Sequence, residues 1–462
     1  MPSRVKLAVL TAMAVSLAVV VAGAVVPARA TATTAGASTS RSAVRLLRIY
    51  YTPPILVRAG ERVRFPVDVV CATAAGRACA ATLTASAATG ASGAWRSVTV
   101  GATPDLLVDL SAAASRAIGE ARAARADTGT STDVVRFALS ARAQGRSSAL
   151  GFASEEGALR FYVTDSLPSL RVPDRGFGPG RHGRTVLFLP WGSGPLRAGL
   201  APGSQSPTLG PSSFDVDARG RVYLLDQEQA RLAVFLGGRL VRQAPVSVPP
   251  PADLAVGPRG RAWILSRAPG SSDLVVRAID PNGSVGSPIP VDSQIVGQIR
   301  MAGGRPFVHA FPLDAWVPVD AGASRPAAPL TTGMPVGGSR SLLGVVTEAS
   351  VRLGTVAGDA VSDAVELRFP AQLGELALSA PDGHGGYWAV QHVSRDRPAA
   401  DAYDVVHVAG DRLRGAFEIA GGGFALTAPL SRFRLGADGA LYELRTSPAG
   451  LRIVRFDIGG AS

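Results

Sequence analysis

A tight turn followed by an aromatic strand recurs through the second half of this chain, and the recurrence restricts the fold more than any other feature. The fullest copy is Gly210–Phe235, which reads as three short strands. A tight turn at Ala218–Arg221 joins the first two, and a polar loop at Asp226–Arg231 joins the second and third. The turn Ala218-Arg219-Gly220-Arg221 returns as Pro258-Arg259-Gly260-Arg261 and Ala302-Gly303-Gly304-Arg305, then as Pro381-Asp382-Gly383-His384 and Ala437-Asp438-Gly439-Ala440. An aromatic follows three residues after the glycine, at Tyr223, Trp263, Phe307 and Tyr442; in the fifth copy a short insertion leaves Tyr387 or Trp388 for that place. The glycine supplies the positive φ of a tight hairpin. The aromatic is expected to fill the space between neighbouring sheets.

Successive turn glycines lie 40, 44, 79 and 56 residues apart. The gap of 79 leaves room for one diverged copy, Ser339–Phe369, and brings the count to six. Units of about 40 residues with four strands each are the pattern of a β-propeller. The last unit ends at Ile458 after three strands, whereas Thr185–Leu189 is a lone strand before the first. Thr185–Leu189 is therefore expected to complete the final blade, so that the ring is sealed without a free edge.

Ahead of the repeats, residues 43–169 read as one β-rich domain. Val63, Phe65, Val67 and Val69 alternate as in a half-buried strand. Further strands are expected at Ala81–Ala87, Trp95–Val100, Asp105–Leu110, Val134–Ala141 and Ala158–Val163, with a helix inside Ser111–Ala126. That spacing suggests a two-sheet sandwich of immunoglobulin-like type. Residues 170–183 form a Pro/Gly/Arg linker. They contain Gly178-Pro-Gly180-Arg-His-Gly183, a dinucleotide fingerprint in letters only, because a strand follows it where a helix is required. The expected fold is all-β: a sandwich at 43–169, then a six-bladed propeller at 184–460.

The first thirty residues read as a secretory signal. Arg4 and Lys6 precede the apolar run Leu7–Val26, and Ala28-Arg29-Ala30 fits a cleavage site. An uncleaved anchor is the alternative, since the run is long enough to span a bilayer. No later segment is apolar enough to span. Residues 31–42 are rich in Ala, Thr and Ser and read as a disordered linker. Export gives the two cysteines meaning: Cys71 and Cys79 are expected to form a local disulfide.

The formal charge of +12 becomes +9 without Arg4, Lys6 and Arg29 (44 basic against 35 acidic). The arginines are interspersed with acids, which argues for a solvated cationic surface and against a nucleic-acid site. Lys6 is the only lysine, so the mature chain has no Schiff-base or P-loop lysine.

Gly210–Phe235 resembles the NHL-repeat family of β-propellers. Pro211, Gly220, Tyr223, Asp226 and Arg231 match its pattern, and Gln229 stands where the family has Asn. The resemblance extends over residues 184–460, and it implies six blades. By analogy of fold, the loops joining second and third strands form the ligand face. Asp226 and Arg231 lie there, as do His309, in the slot held elsewhere by Leu225, Leu265 and Leu444, and the charged loop of His392, Arg395, Asp396 and Arg397. Asp226 and Arg231 are expected to tie their own loop. Asp215-Val-Asp217-Ala-Arg-Gly220 mimics half a calcium loop but coincides with the hairpin turn.

Catalytic motifs are missing: there is no G-x-S-x-G elbow and no H-E-x-x-H. Lactonase-type propellers carry a divalent metal on Glu, Asn and Asp, and here the sole asparagine, Asn282, lies in a hairpin turn. Lyases related to NHL propellers use metal-bound His, for which His309 and His392 are the candidates. The sequence thus points to an exported binding or scaffold protein that contacts a cell-envelope polymer, peptide or protein, with no cofactor. A metal-dependent lyase or hydrolase in the propeller funnel is the alternative.

Overall fold

A computed structural model describes residues 183–456, apart from short segments at 204–207, 250–251, 292–296, 311–314, 320–330, 348, 383–384, 396–400 and 426–431. Before these it describes residues 55–66, 159–174 and 176–178, and isolated strands between residues 43 and 149. The leader, the 31–42 linker, the helix expected in Ser111–Ala126, Cys79, Asp396 and Arg397 lie outside the described residues. Among the described residues the structure is β throughout, with one 3₁₀ turn at Pro258–Gly260. None of them forms a helix long and apolar enough to cross a membrane.

Six four-stranded antiparallel sheets form the propeller. Their first strands are Ser213–Val216, Asp253–Val256, Ile299–Ala302, Met334–Gly337, Gln372–Pro381 and Phe433–Leu435, in blades one to six. Each first strand neighbours the next, and the sixth neighbours the first, so they form a closed inner ring. Arg184–Pro190 pairs antiparallel with Gly450–Phe456 and becomes the outer strand of blade six. The ring is therefore closed by the start of the propeller chain, as the strand count requires. The diverged fourth unit begins at Met334, and its four strands pair like the others.

Four of the repeat's aromatics do the packing expected of them, whereas Phe307 of blade three is only half-buried. Tyr223, Trp263, Trp388 and Tyr442 are buried, each in the cluster shared with the following blade. In blade five Trp388 takes that role, whereas Tyr387 packs backwards onto blade four. Gly220 has φ +72, which an L side chain rarely adopts, and Asp217 caps the same turn by accepting from the amides of Arg219 and Arg221, both at 3.0 Å. The resemblance of this segment to a calcium loop thus has a structural explanation, the turn itself.

In the N-terminal region the described strands join in one path: Ile55–Arg58, Leu159–Thr164, Val134–Ala143, Thr82–Ala87, Ser92–Trp95, Asp105–Asp109 and Arg62–Pro66. Thr82–Ala87, Asp105–Asp109, Val134–Ala143 and Leu159–Thr164 lie close to strands read from sequence, whereas Ser92–Trp95 meets the expected Trp95–Val100 only at Trp95. Part of the expected linker is structured as well. Ser169–Arg171 adds a parallel fifth strand to blade four, and Phe177 bridges to Ala416 of blade five.

The two regions meet at blade four. Its side towards blade five carries Leu342, Val351, Leu353, Val365 and Leu367. The opposite side, with Leu343, Val345, Val356 and Ala364, packs against Leu56 and Tyr162 of the N-terminal region. In a propeller that side belongs to the preceding blade. Here the described outer strand of blade three, Thr331–Thr332, is two residues long. The edge pair Ile55–Arg58 and Leu159–Thr164 occupies the place. Gly354 makes room, since a Cβ there would stand 3.1 Å from Leu56 Cδ2.

A charged clamp frames this seat. Arg352 donates to Leu56 O at 2.9 Å, to both carboxylate oxygens of Glu61 at 2.7 and 3.1 Å, and to Glu366 Oε1 at 3.0 Å. Glu366 Oε2 accepts from Ser169 Oγ at 2.9 Å and Arg368 Nε at 2.8 Å. Burial pushes the Glu366 carboxyl up, but the hydrogen bonds from Arg368, Ser169 and Arg352 outweigh it and hold the carboxyl at about 2.

Candidate functional site

We call the face at which second strands end and third strands begin the top face. At blade one it is built by Asp226, which ends the second strand, and Arg231, which begins the third. The two stand opposite each other in register and are almost fully buried, with Arg231 Nη2 3.3 Å from Asp226 Oδ2. The same carboxylate oxygen accepts from the amide of Gly199 and from Gln229 Nε2, both at 3.1 Å. Arg231 also donates to the carbonyls of Pro195 and Arg197 and to Gln243. Gln229, in place of the family's Asn, donates to the carbonyls of Gly192 and Arg197 and accepts from Gly194 N. The longer amide suits it to this reach. The pair and its glutamine therefore fasten the 191–199 loop over blade one. Burial holds the Asp226 carboxyl above its ordinary range, against the pull of Gly199 N and Arg231.

His309 lies on the second strand of blade three, cross-strand from Trp316, with ring centroids 5.0 Å apart. Val308 packs back onto blade two, so alternation turns His309 towards the seam with blade four. His392 lies on the second strand of blade five, 5.2 Å from the Tyr403 ring. Tyr403 in turn leans on Phe433 of blade six at 4.9 Å. The two histidines thus stand at different seams, on second strands, and the structure does not bring them together. Arg395 makes a two-bond contact with Asp404 at 2.8 and 2.9 Å and pairs with Glu418 at 3.1 Å. Its third carboxylate, Asp174 at 3.9 Å, ties blade five to the 170–178 strap. Burial raises the Asp404 carboxyl in spite of Arg395. Among the described residues no three His, Cys, Asp or Glu side chains are grouped to hold a metal ion. Asn282 accepts from Ser284 N at 2.9 Å within its exposed turn, away from any such role.

The inner ring carries a polar cluster that the sequence reading did not single out. Arg434 of blade six reaches across blade one to blade two. Its Nε donates to Phe214 O at 2.8 Å, and its Nη2 to Ser213 Oγ at 3.2 Å, to Leu254 O at 2.9 Å and to Asp253 Oδ1. Asp253 Oδ1 also accepts from Ser213 Oγ at 2.7 Å, while its Oδ2 accepts from Ile299 N at 2.9 Å and Arg300 Nη1 at 3.5 Å. One network therefore joins the first strands of blades six, one, two and three. Asp215 completes it, accepting from Val216 N at 2.8 Å and Val256 N at 2.7 Å. Part of Asp215 still reaches solvent, but the ring encloses it. Burial raises its carboxyl to about 6 against the pull of Arg434. The sequence did hold a signal for this cluster. Asp215 and Arg434 both stand five residues before their turn glycines, Gly220 and Gly439. Ser213 and Asp253 both stand seven before theirs, Gly220 and Gly260.

Chemically, the ring holds an acid that can carry a proton near neutral pH. Its serine, Ser213, donates to Asp253, and among the described residues no histidine is bonded to it.

The strand pairing defines the chain as a six-bladed β-propeller with a β-rich N-terminal region. No protein-family model matches the sequence, and no curated protein sequence aligns with it significantly. Solved structures similar to it include the hydrazine synthase of Kuenenia stuttgartiensis, at 13% identity over 53% of this chain and 76% of that one, with a TM-score of 0.35. Virginiamycin B lyase from Staphylococcus aureus aligns at 10% identity over 54% and 95%, with a TM-score of 0.30. A gluconolactonase of Xanthomonas campestris aligns at 10% over 59% and 99%, with a TM-score of 0.26. Likeness at this level carries nothing about chemistry, and the six blades rest on the pairing of their own strands.

Proposed function

We propose that the protein is an exported binding or scaffold module whose top face contacts a cell-envelope polymer, peptide or protein. The observation that carries this reading is the use made of the face's charged side chains. Asp226 with Arg231, and Arg395 with Asp404 and Glu418, brace loops and blades. A face built in this way presents shape and surface rather than a reacting set of groups. The NHL-like reading of the repeat belongs to the same proposal, supported by Gly220, Tyr223, Asp226 and Arg231 acting as turn, packing and brace. So does the sandwich. Val57, Phe161 and Val163, on the side of the edge pair turned away from blade four, are buried, which supports a second layer there. The Cys71–Cys79 disulfide is proposed with it, Cys71 lying on the strand Val70–Ala72.

Binding is tested by co-sedimentation of the mature chain with purified sacculi and by titration with soluble glycopolymers and peptides. Saturable binding to one class is expected, and binding to none of them overturns the reading. N-terminal sequencing of the exported protein is expected to begin at Thr31. The metal-dependent alternative is tested by elemental analysis of the same preparation: stoichiometric zinc or calcium lost in His309→Ala would replace the binding reading with an enzymatic one.

A further inference from the structure

We propose that the top face between blades six and one carries an aromatic and arginine platform for an anionic polysaccharide. This rests on the binding reading above and names its ligand class. Phe424 is 43% exposed, yet its backbone is fixed. The amides of Phe424 and Ala425 donate to Thr446 Oγ1 at 2.9 and 3.0 Å, and Thr446 Oγ1 donates back to Ala425 O at 3.1 Å. Trp191 stands beside it, 6.3 Å between ring centroids. Its indole Nε1 donates to Ser447 O at 2.8 Å, and its ring packs over Gly210, where a Cβ would stand 3.3 Å from it. Large apolar side chains held rigidly in water lose little entropy when a partner covers them. A patch of this kind on an ordered surface marks an interaction site.

The charges around it select the partner. Arg197 lies beside Trp191 and donates to its carbonyl at 3.0 Å. The Glu443 carboxylate is shared by two guanidiniums, Arg432 at 2.7 Å and Arg445 at 2.6 Å. With exposed Glu228 counted, three arginines face two acids, on a mature chain of net charge +9 (44 basic against 35 acidic). Arginine forks match carboxylates. Aromatic faces pack against the C–H faces of sugar rings by burying apolar area. A sugar polymer bearing carboxylates answers both. An acidic peptide answers the charge alone, and the backbone of residues 424–425 is already bonded to Thr446 and has no strand edge to lend.

The test titrates the full mature chain with polygalacturonate, dextran and polyglutamate, read by tryptophan fluorescence and by calorimetry. Polygalacturonate is expected to bind saturably, more weakly as salt rises, and dextran at least tenfold more weakly. Phe424→Ala, Arg197→Gln and Arg445→Gln should each weaken it at least fivefold, whereas Phe188→Ala, an exposed aromatic on the outer strand of blade six, should not. Polygalacturonate binding that survives all three substitutions overturns the platform and leaves the binding reading standing. Failure of the wild-type chain to bind polygalacturonate, or tighter binding of polyglutamate, overturns the ligand class. The sacculus experiment then decides the broader reading separately.

Discussion

Asp215 and Asp226 show how burial sets the behaviour of single carboxylates in this ring. The Asp215 carboxyl, at about 6 in the folded chain against 3.8 ordinarily, binds its proton more tightly when folded. Its contribution to stability is therefore largest below pH 3.8 and is lost as pH rises through about 6. Thermal unfolding between pH 4 and 7 is expected to show this decline, and Asp215→Asn should flatten that part of the profile. A profile identical in the variant would show that the decline has another source. Asp226 poses a different problem. Its carboxylate and the Arg231 guanidinium are both nearly inaccessible, so the pair's attraction is set against a large desolvation cost. Removing one partner leaves the other charge buried alone. Asp226→Ala is expected to cost about 3–5 kcal/mol in urea unfolding, far more than a surface pair would.

Individual strands explain where the ring is held and where the sequence was readable. Closure depends on Arg184–Pro190, whose Leu187 and Leu189 are buried in the core between blades six and one. Leu187→Ala should cost about 2–5 kcal/mol in the same unfolding measurement, and Phe188→Ala, on the outward face of that strand, less than about 0.5 kcal/mol. The closing strand, the turns and the packing aromatics were legible because each follows from local chemistry repeated at a fixed interval. Gly220 needs positive φ, and Tyr223 needs an apolar gap beside it. The first-strand network was not legible in the same way. Arg434 and Asp253 lie 181 residues apart in the chain, and nothing local in either strand says that they meet. Only the distances from the turn glycines, which Arg434 shares with Asp215 and Asp253 shares with Ser213, hint at common layers. His309 stands out in sequence because it breaks an apolar pattern, and His392 because it opens a charged loop, but the two lie at different seams. The Trp191–Phe424 platform escaped notice because its two halves flank opposite ends of the propeller chain.

For the molecule as a whole, the decisive feature is the seam between blades three and four, where the N-terminal region packs beside the two-residue outer strand of blade three. The clamp at this seat responds to acid in the direction opposite to Asp215. Glu366 is held at about 2 against 4.5 ordinarily, so its contribution is complete above pH 4.5 and is lost as pH falls towards 2. Acid should therefore loosen this seam, and Glu366→Gln should remove that part of the acid dependence. The apolar half of the seat gives the sharper test. Leu56 is fully buried against blade four, and a carboxylate in its place would have no partner among Leu343, Val345, Val356 and Ala364. In Leu56→Asp the edge pair should leave its seat and expose those strands to water. Hydrogen exchange of the amides in Arg340–Val346 and Ser350–Ala357 is then expected to quicken at least tenfold, with the strands of blade one unchanged. Unchanged exchange in blade four would show that the blade holds its own side without the N-terminal region. Equal quickening in every blade would show a general loss of stability and no local seat.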